Sequence, residues 1–224
     1  MKHTETELLQ IKNSISEMWI LVLSQLRNAK SALVNSDSDL ARVVISLEKR
    51  VNAFELKIDS DCENYIALFS PVAIDLRLVL SILKINKTLE RIGDFAEGIA
   101  RFVLQTENMG THEALLKLVR IDEMAGHVET MLEKTLNAFT EENSRQAGMV
   151  FSIDNEVDTI YRDDYELLAK YVVEHPDDAF YVLHLATVLR KFERSGDHCN
   201  NLMEEIVFYL DAKVLKHQKK EKQE

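Results

Sequence analysis

Glycine and proline are scarce in this chain, six and two among 224 residues. So few turn-formers leave little to punctuate short strands, which excludes a sheet-rich fold and favours long helices. Cysteine is almost absent. Cys62 and Cys199 both fall inside helical patterns, so a disulfide framework is excluded and each reads as a small, reduced, buried hydrophobe. No apolar run approaches the roughly 18 residues of a membrane span, and the start, Met-Lys-His-Thr-Glu-Thr-Glu, lacks the apolar core of a signal peptide. A cytoplasmic protein without membrane insertion is expected.

Positive charge is also in deficit. The formal net charge of -11 and the pI near 5.2 exclude binding of nucleic acid through its phosphates and suit a cationic partner. The lysine-rich stretch Lys213 to Lys222 is the basic exception, expected as a helix end stabilised by its dipole. Catalytic signatures are missing too: no glycine-rich phosphate loop, no His-Glu-x-x-His, no Cys-x-x-Cys and no Gly-x-Ser-x-Gly. None of His112, His127, His184 or His198 follows a Glu by three residues, which argues against a helical di-iron oxidase.

What the chain does have is helical periodicity, with 46% hydrophobic residues. Helix one runs from Leu8 to Val34 and stops at Asn35-Ser-Asp-Ser-Asp, a cluster of turn and N-cap residues. Helix two starts near Leu40, with Val44, Leu47, Val51, Phe54 and Ile58 as its apolar seam. It ends before Ser70-Pro71, where Ser70 is expected to cap helix three and Pro71 to sit in its first turn. Helix three carries a seam of Ile82, Ile85, Leu89, Ile92, Ala96, Ile99 and Val103.

The polar stretch Gln105 to Thr111 then divides the chain, and the order repeats. Helix four runs to about Thr140, helix five to about Glu174 and helix six to about Ala212, with breaks at Asn143-Ser144 and Pro176. Glu90-Arg-Ile-Gly-Asp94 recurs as Glu193-Arg-Ser-Gly-Asp197, in the same phase against the seam Leu185, Val188, Phe192, Ser195, Cys199, Leu202, Ile206 and Tyr209. Recurrence of spacing, phase and chemistry marks a duplication. The expected fold is all-α: six long helices in two tandem three-helix bundles, residues 1–107 and 108–224, related by pseudo-twofold symmetry.

Residues four apart on a helix share a face, so Glu90 with Asp94 and Glu193 with Asp197 form two-pronged carboxylate edges. Helices two and five add Glu48 with Asn52, Glu55 with Asp59, and Asp154 with Asp158. All lie beside or outside the seams, which predicts a groove or surface rather than the core. A solvated helix face is the commonest use of such acids. Against it, like charges at this spacing repel, and both copies place a glycine, Gly93 or Gly196, between the acids at about 1 kcal/mol relative to alanine. A repeated penalty implies that something needs the room. Oxygen-rich sets suit magnesium, calcium, manganese, iron or zinc, and bridging carboxylates can hold several ions. His198 is a weaker ligand candidate, since a lone histidine more often serves as a hydrogen-bonding group. Asp75 and Asp178 stand in first turns, where the helix dipole favours an acid; Asp75 and Arg77 stay open.

At these residues the sequence resembles the PhoU family. The resemblance covers nearly the whole chain, through Val51-Asn52, Ser70-Pro-Val-Ala-Ile-Asp-Leu-Arg77, Lys84-Ile-Asn86, Leu89-Glu-Arg-Ile-Gly-Asp94 and Phe192-Glu-Arg-Ser-Gly-Asp-His198 with Asn201 and Glu204. It implies paired three-helix bundles, often a homodimer, with multinuclear clusters of iron or zinc at the acidic motifs; manganese, magnesium, calcium and nickel are left open. The implied ligands are Glu48, Asn52, Glu90 and Asp94 in one copy and Asp154, Asp158, Glu193 and Asp197 in the other. Glu55, Asp59, Asp75, Arg77 and His198 are further ligand or partner candidates. The implied role is a cytoplasmic negative regulator of the phosphate-starvation response. Such a protein links the phosphate transporter's ATPase, PstB, to the sensor kinase PhoR. Phe95 stands where His is usual, Gly98 where Asn is usual, and Tyr161 and Tyr165 where the first copy has Glu55 and Asp59, so the two sites should differ. The competing readings are a metal-dependent hydrolase or oxidase and a plain helical scaffold.

Overall fold

The protein is described by a computed structural model covering residues 2–109 and 112–215. Three long helices, α1 (Lys2–Asn35), α2 (Ser38–Phe69) and α3 (Ala73–Gln105), pack into the first bundle. The second contains a short α4 (Glu113–Leu118) followed by α5 (Ile121–Thr140), α6 (Ala147–Glu174) and α7 (Ala179–Asp211). Among the described residues there is no strand. The bundles join mainly along α3 and α7, which run antiparallel: Arg77 Nε donates to the Tyr209 carbonyl at the end where one helix starts and the other stops. At the other end Phe102 meets Tyr181 with ring centroids 5.2 Å apart. A second contact, α1 on α5, buries Trp19 against Phe139 at 5.6 Å.

The seams of helices three and six are buried throughout, as the periodicity demands, and Cys62 and Cys199 are buried free thiols. Asp37 caps α2 by accepting from Leu40 N at 2.9 Å. Four local expectations are corrected. Ser70 does not cap α3; it closes α2 in the left-handed region (φ 47°), and Val72 precedes α3 without a side-chain cap. Helix four is broken, because Arg120 takes a left-handed conformation (φ 45°) between α4 and α5. The α2 seam is rotated from the predicted one: Ala41, Val44, Glu48, Val51, Ile58, Cys62 and Tyr65 are buried, while Leu40, Leu47 and Phe54 are half-buried. Lys213 lies beyond α7, which ends at Asp211 with Ala212 left-handed. The lysine-rich stretch from residue 216 onward lies outside the described residues, as do Gly110 and Thr111.

Candidate functional site

Two of the acids sit deeper than the periodicity predicts, Glu48 on α2 and Asp154 on α6. Glu48 and Asp154 occupy core positions, 7% and 2% exposed, where a groove or surface was expected. Four residues on, Asn52 is exposed and Asp158 half-buried, so each edge climbs from core to surface. Glu90, Asp94 and Glu193 are half-buried and Asp197 is exposed.

The mid-helix glycines explain how a carboxylate enters the core. A Cβ on Gly93 would meet Gln25 Oε1 and Val51 Cγ1 at 3.3 Å and Glu48 Oε2 at 3.4 Å. A Cβ on Gly196 would meet Asp154 Oδ1 at 3.3 Å, with Val157 Cγ1 and Met131 Sδ farther at 3.6 and 3.7 Å. The room that the sequence implied is thus occupied by the acid of the neighbouring helix. A buried carboxylate also needs donors. Gln25 Nε2 donates to Glu48 Oε2 at 3.2 Å and to the Val44 carbonyl at 3.3 Å. Asp154 instead accepts from Asn200 Nδ2. Neither Gln25 nor Asn200 was singled out from the sequence; the one visible signal was a polar residue on an apolar face.

Glu48 is raised to about 7, first by burial, against the lowering from its hydrogen bond to Gln25, and then by the negative charges of Asp94, Glu97 and Glu90. Glu90 is raised by burial and then by Asp94; Glu193 is raised by burial and then by Asp197 and Asp158. The carboxylates of facing helices therefore sense one another across each edge. A cation offsets both causes, because it neutralises the repulsion and favours the ionised form. The donor set fits a hard or borderline ion in chemistry and charge. It is not preassembled: among the described residues, no three His, Cys, Asp or Glu side chains form a group able to hold an ion.

Other candidates have local partners. Glu55 pairs with Lys87 at 2.5 Å, and Asp59 accepts from Asn86 at 2.8 Å. Asp94 pairs with Arg91 at 3.2 Å. Arg77 ties α3 to α7, and Asp75 is exposed in the first turn of α3. His198 packs edge-on against Phe95 of α3, at 5.4 Å, and burial followed by Arg194 lowers its pKa, so the ring is a neutral part of the inter-bundle contact. Asp178 accepts from the Tyr171 hydroxyl at 2.9 Å and stands 3.5 Å from His112 Nε2, a structural role. Two further buried acids carry no motif in the sequence: Glu205 of α7, 6% exposed, pairs with Lys84 of α3 at 3.0 Å, and Asp164 of α6, 1% exposed, faces Arg120 at 3.8 Å and is pushed up to about 7 by burial.

The PhoU domain model matches this chain twice, over residues 15–103 and 121–206. The phosphate-specific transport system accessory protein PhoU of Edwardsiella tarda is 36% identical over 220 residues, 96% of this chain and 89% of that protein. The protein of the same name from Escherichia coli K12 is 36% identical over 94% of this chain and 86% of its own length. Among solved structures, PhoU from Pseudomonas aeruginosa superposes with a TM-score of 0.89 at 32% identity, covering 93% of this chain and 99% of that one. The phosphate transport regulatory protein PhoU from Streptococcus pneumoniae gives 0.85 at 25% identity, with 95% and 99% covered. With its two domain matches, its duplicated acid and glycine motif and its paired helical bundles, the chain belongs to the PhoU family.

Proposed function

We propose that this protein is a cytoplasmic regulatory adaptor of phosphate homeostasis, which modulates a phosphate ABC transporter and represses the phosphate-starvation response when phosphate is plentiful. The observation that carries the reading is similarity, along 94–96% of the chain, to proteins named as accessories of phosphate-specific transport. No described helix is long and apolar enough to cross a membrane, which agrees with a partner of a membrane system rather than a transporter. The partners of this reading are the transporter ATPase PstB and the sensor kinase PhoR, and the working form is a homodimer. Its chemistry is binding.

In this reading Glu48, Asn52, Glu90 and Asp94 hold metal in one copy, and Asp154, Asp158, Glu193 and Asp197 hold it in the other, with iron or zinc as the ion. The bound metal supplies positive charge that ties helices together; the chain supplies the oxygen donors, the glycines that admit Glu48 and Asp154, and the amides that orient them. Support comes from the shared charge field on each edge, where burial and neighbouring carboxylates raise Glu48, Glu90 and Glu193. Deleting the gene in its host tests the regulatory role. Alkaline phosphatase activity and transporter transcripts should rise in phosphate-replete medium; wild-type levels of both would contradict it.

A further inference from the structure

The two copies differ at the turn that joins their last two helices. In the second, the Tyr171 hydroxyl near the end of α6 donates to Asp178, just before α7, at 2.9 Å, and six residues separate the pair. Tyr65 follows Glu48 by seventeen residues, as Tyr171 follows Asp154, and Asp75 precedes Glu90 by fifteen, as Asp178 precedes Glu193. Tyr65 and Asp75 are thus the corresponding pair, with nine residues between them. Here the bond is not made: Tyr65 is 2% exposed, and its hydroxyl is buried without a hydrogen-bond partner. Phe69 holds the ring in place, with centroids 5.2 Å apart. Burial, and after it the charge of Asp75, raises this hydroxyl above its ordinary pKa, so the carboxylate is near without accepting from it.

The longer turn is also strained. Ser70 and Ala73, on either side of Pro71-Val72, both lie in the left-handed region (φ 47° and 50°), which is costly for residues other than glycine. No residue between Tyr171 and Asp178 does so. Leu68, Val72 and Ile74 are exposed at the tip, where the same counts give Glu174, His175 and Asp177 in the second copy. Beyond the turn, Arg77 on the Tyr209 carbonyl and the buried Leu78 anchor α3, so freedom is confined to the residues before them.

We propose that the α2–α3 turn is a two-state latch, open in this structure and closed when Ser70 and Ala73 leave the left-handed region and the Tyr65 hydroxyl donates to the Asp75 carboxylate. The closed arrangement is the one that Tyr171 and Asp178 already hold in the second copy. Two costs of the open state drive closure: a buried hydroxyl that has given up water without gaining a partner, and left-handed backbone at residues that carry a side chain. The three extra residues oppose it, because a longer turn loses more conformational entropy when it is drawn shut. Opposed costs within one short segment make it bistable. The second copy lacks both the slack and the strain, and its Asp178 also stands 3.5 Å from His112 Nε2, so that turn stays shut. A molecule of two like halves therefore has one adjustable end, carrying the exposed apolar tip, and one fixed end. This inference stands apart from the regulatory reading, since it rests on the turn and not on the signalling role.

Relaxation-dispersion NMR of the full chain tests the latch, since it reads exchange on the microsecond to millisecond scale. The backbone amides of Ser70, Val72, Ala73, Ile74 and Asp75 should show dispersion in the wild type, while those between Tyr171 and Asp178 should be flat. Tyr65→Phe and Asp75→Ala should each abolish the dispersion. Asp75→Asn, whose side-chain carbonyl still accepts from the hydroxyl, should retain most of it. Tyr65→Phe keeps the fold, because the open state makes no use of the hydroxyl. Ser70→Gly combined with Ala73→Gly relieves the open state and should lower the closed population severalfold. Flat profiles across the wild-type turn, or dispersion unchanged in Tyr65→Phe, would overturn the proposal, as would an unchanged closed population in the glycine variant.

Discussion

In the first copy Glu48 is held against Gly93 by Gln25, whereas in the second Asp154 is held against Gly196 by Asn200. Ten residues further along the same helix the first copy buries Ile58 and the second buries Asp164, an acid beside Arg120 at the α4–α5 break. Position, phase and the admission of an acid beside glycine are preserved; the identity of the stabilising donor is free to change. A duplicated fold thus conserves the shape of a buried polar site more strictly than its hydrogen-bond partner.

The largest expected effects come from the seams, where the copies should agree. Leu89→Ala and Phe192→Ala each empty a fully buried seam position, and losses of about 2–5 and 3–5 kcal/mol are expected in denaturant melts. A loss below 1 kcal/mol at either would show that the two seams do not pack alike. Asp94→Asn, on the half-buried edge, should not lower the stability of the metal-free protein.

Copying the first copy into the second gives the next largest effect. Asp164→Ile should stabilise the protein at neutral pH by about 1–4 kcal/mol, because a buried ion pair often does no better than packed apolar groups and Arg120 keeps access to water and to Asp163. The same substitution carries a pH signature. The folded pKa of Asp164 is raised from 3.8 to about 7, so the cost of holding it ionised is absent below the lower value, grows between them and is complete above 7. Wild-type stability should therefore fall as pH rises through this window, and Asp164→Ile should flatten the fall. Glu48, raised from 4.5 to about 7, adds a slope of the same sign from the first copy, which Glu48→Gln removes. A wild-type stability that rises across this window would contradict both.

Smaller effects separate the copies at the glycines and at the hairpin turns. Gly93→Ala meets three atoms at 3.3–3.4 Å and should lose the helix-propensity gain of about 1 kcal/mol, ending destabilised; Gly196→Ala meets only Asp154 Oδ1 that closely and should be near neutral. Equal melting shifts would break the distinction. Tyr171→Phe removes a hydrogen bond to Asp178 and should cost about 0.5–1.5 kcal/mol, while Tyr65→Phe should be neutral or favourable, since the buried Tyr65 hydroxyl makes no hydrogen bond.

The all-helical class, the duplicated motif and the seams of α3 and α7 are legible because apolar periodicity is strong there. The α2 seam is hidden because Glu48 is polar, and a buried acid looks like a surface residue until Gln25 and Gly93 surround it. Asp164 and Glu205 are hidden for the same reason. The break at Arg120 carried no glycine or proline to announce it. Chain spacing located the acids but not their partners, since Gln25 and Asn200 come from other helices and their roles depend on how those helices meet.

The acidic edges are proposed as cation sites rather than solvated faces. An ion that binds only the folded state adds RT ln(1 + [L]/Kd), about 2.7 kcal/mol at a hundredfold excess over Kd. Iron, manganese or zinc should therefore raise the melting temperature of the wild-type protein, and plasma emission spectroscopy should find metal that the Asp94→Asn, Asp197→Asn double variant lacks. The metal-free melting temperature of that variant should equal or slightly exceed the wild type, because like-charge repulsion is relieved. Equal metal content in wild type and double variant would contradict the account and return these acids to ordinary surface charge.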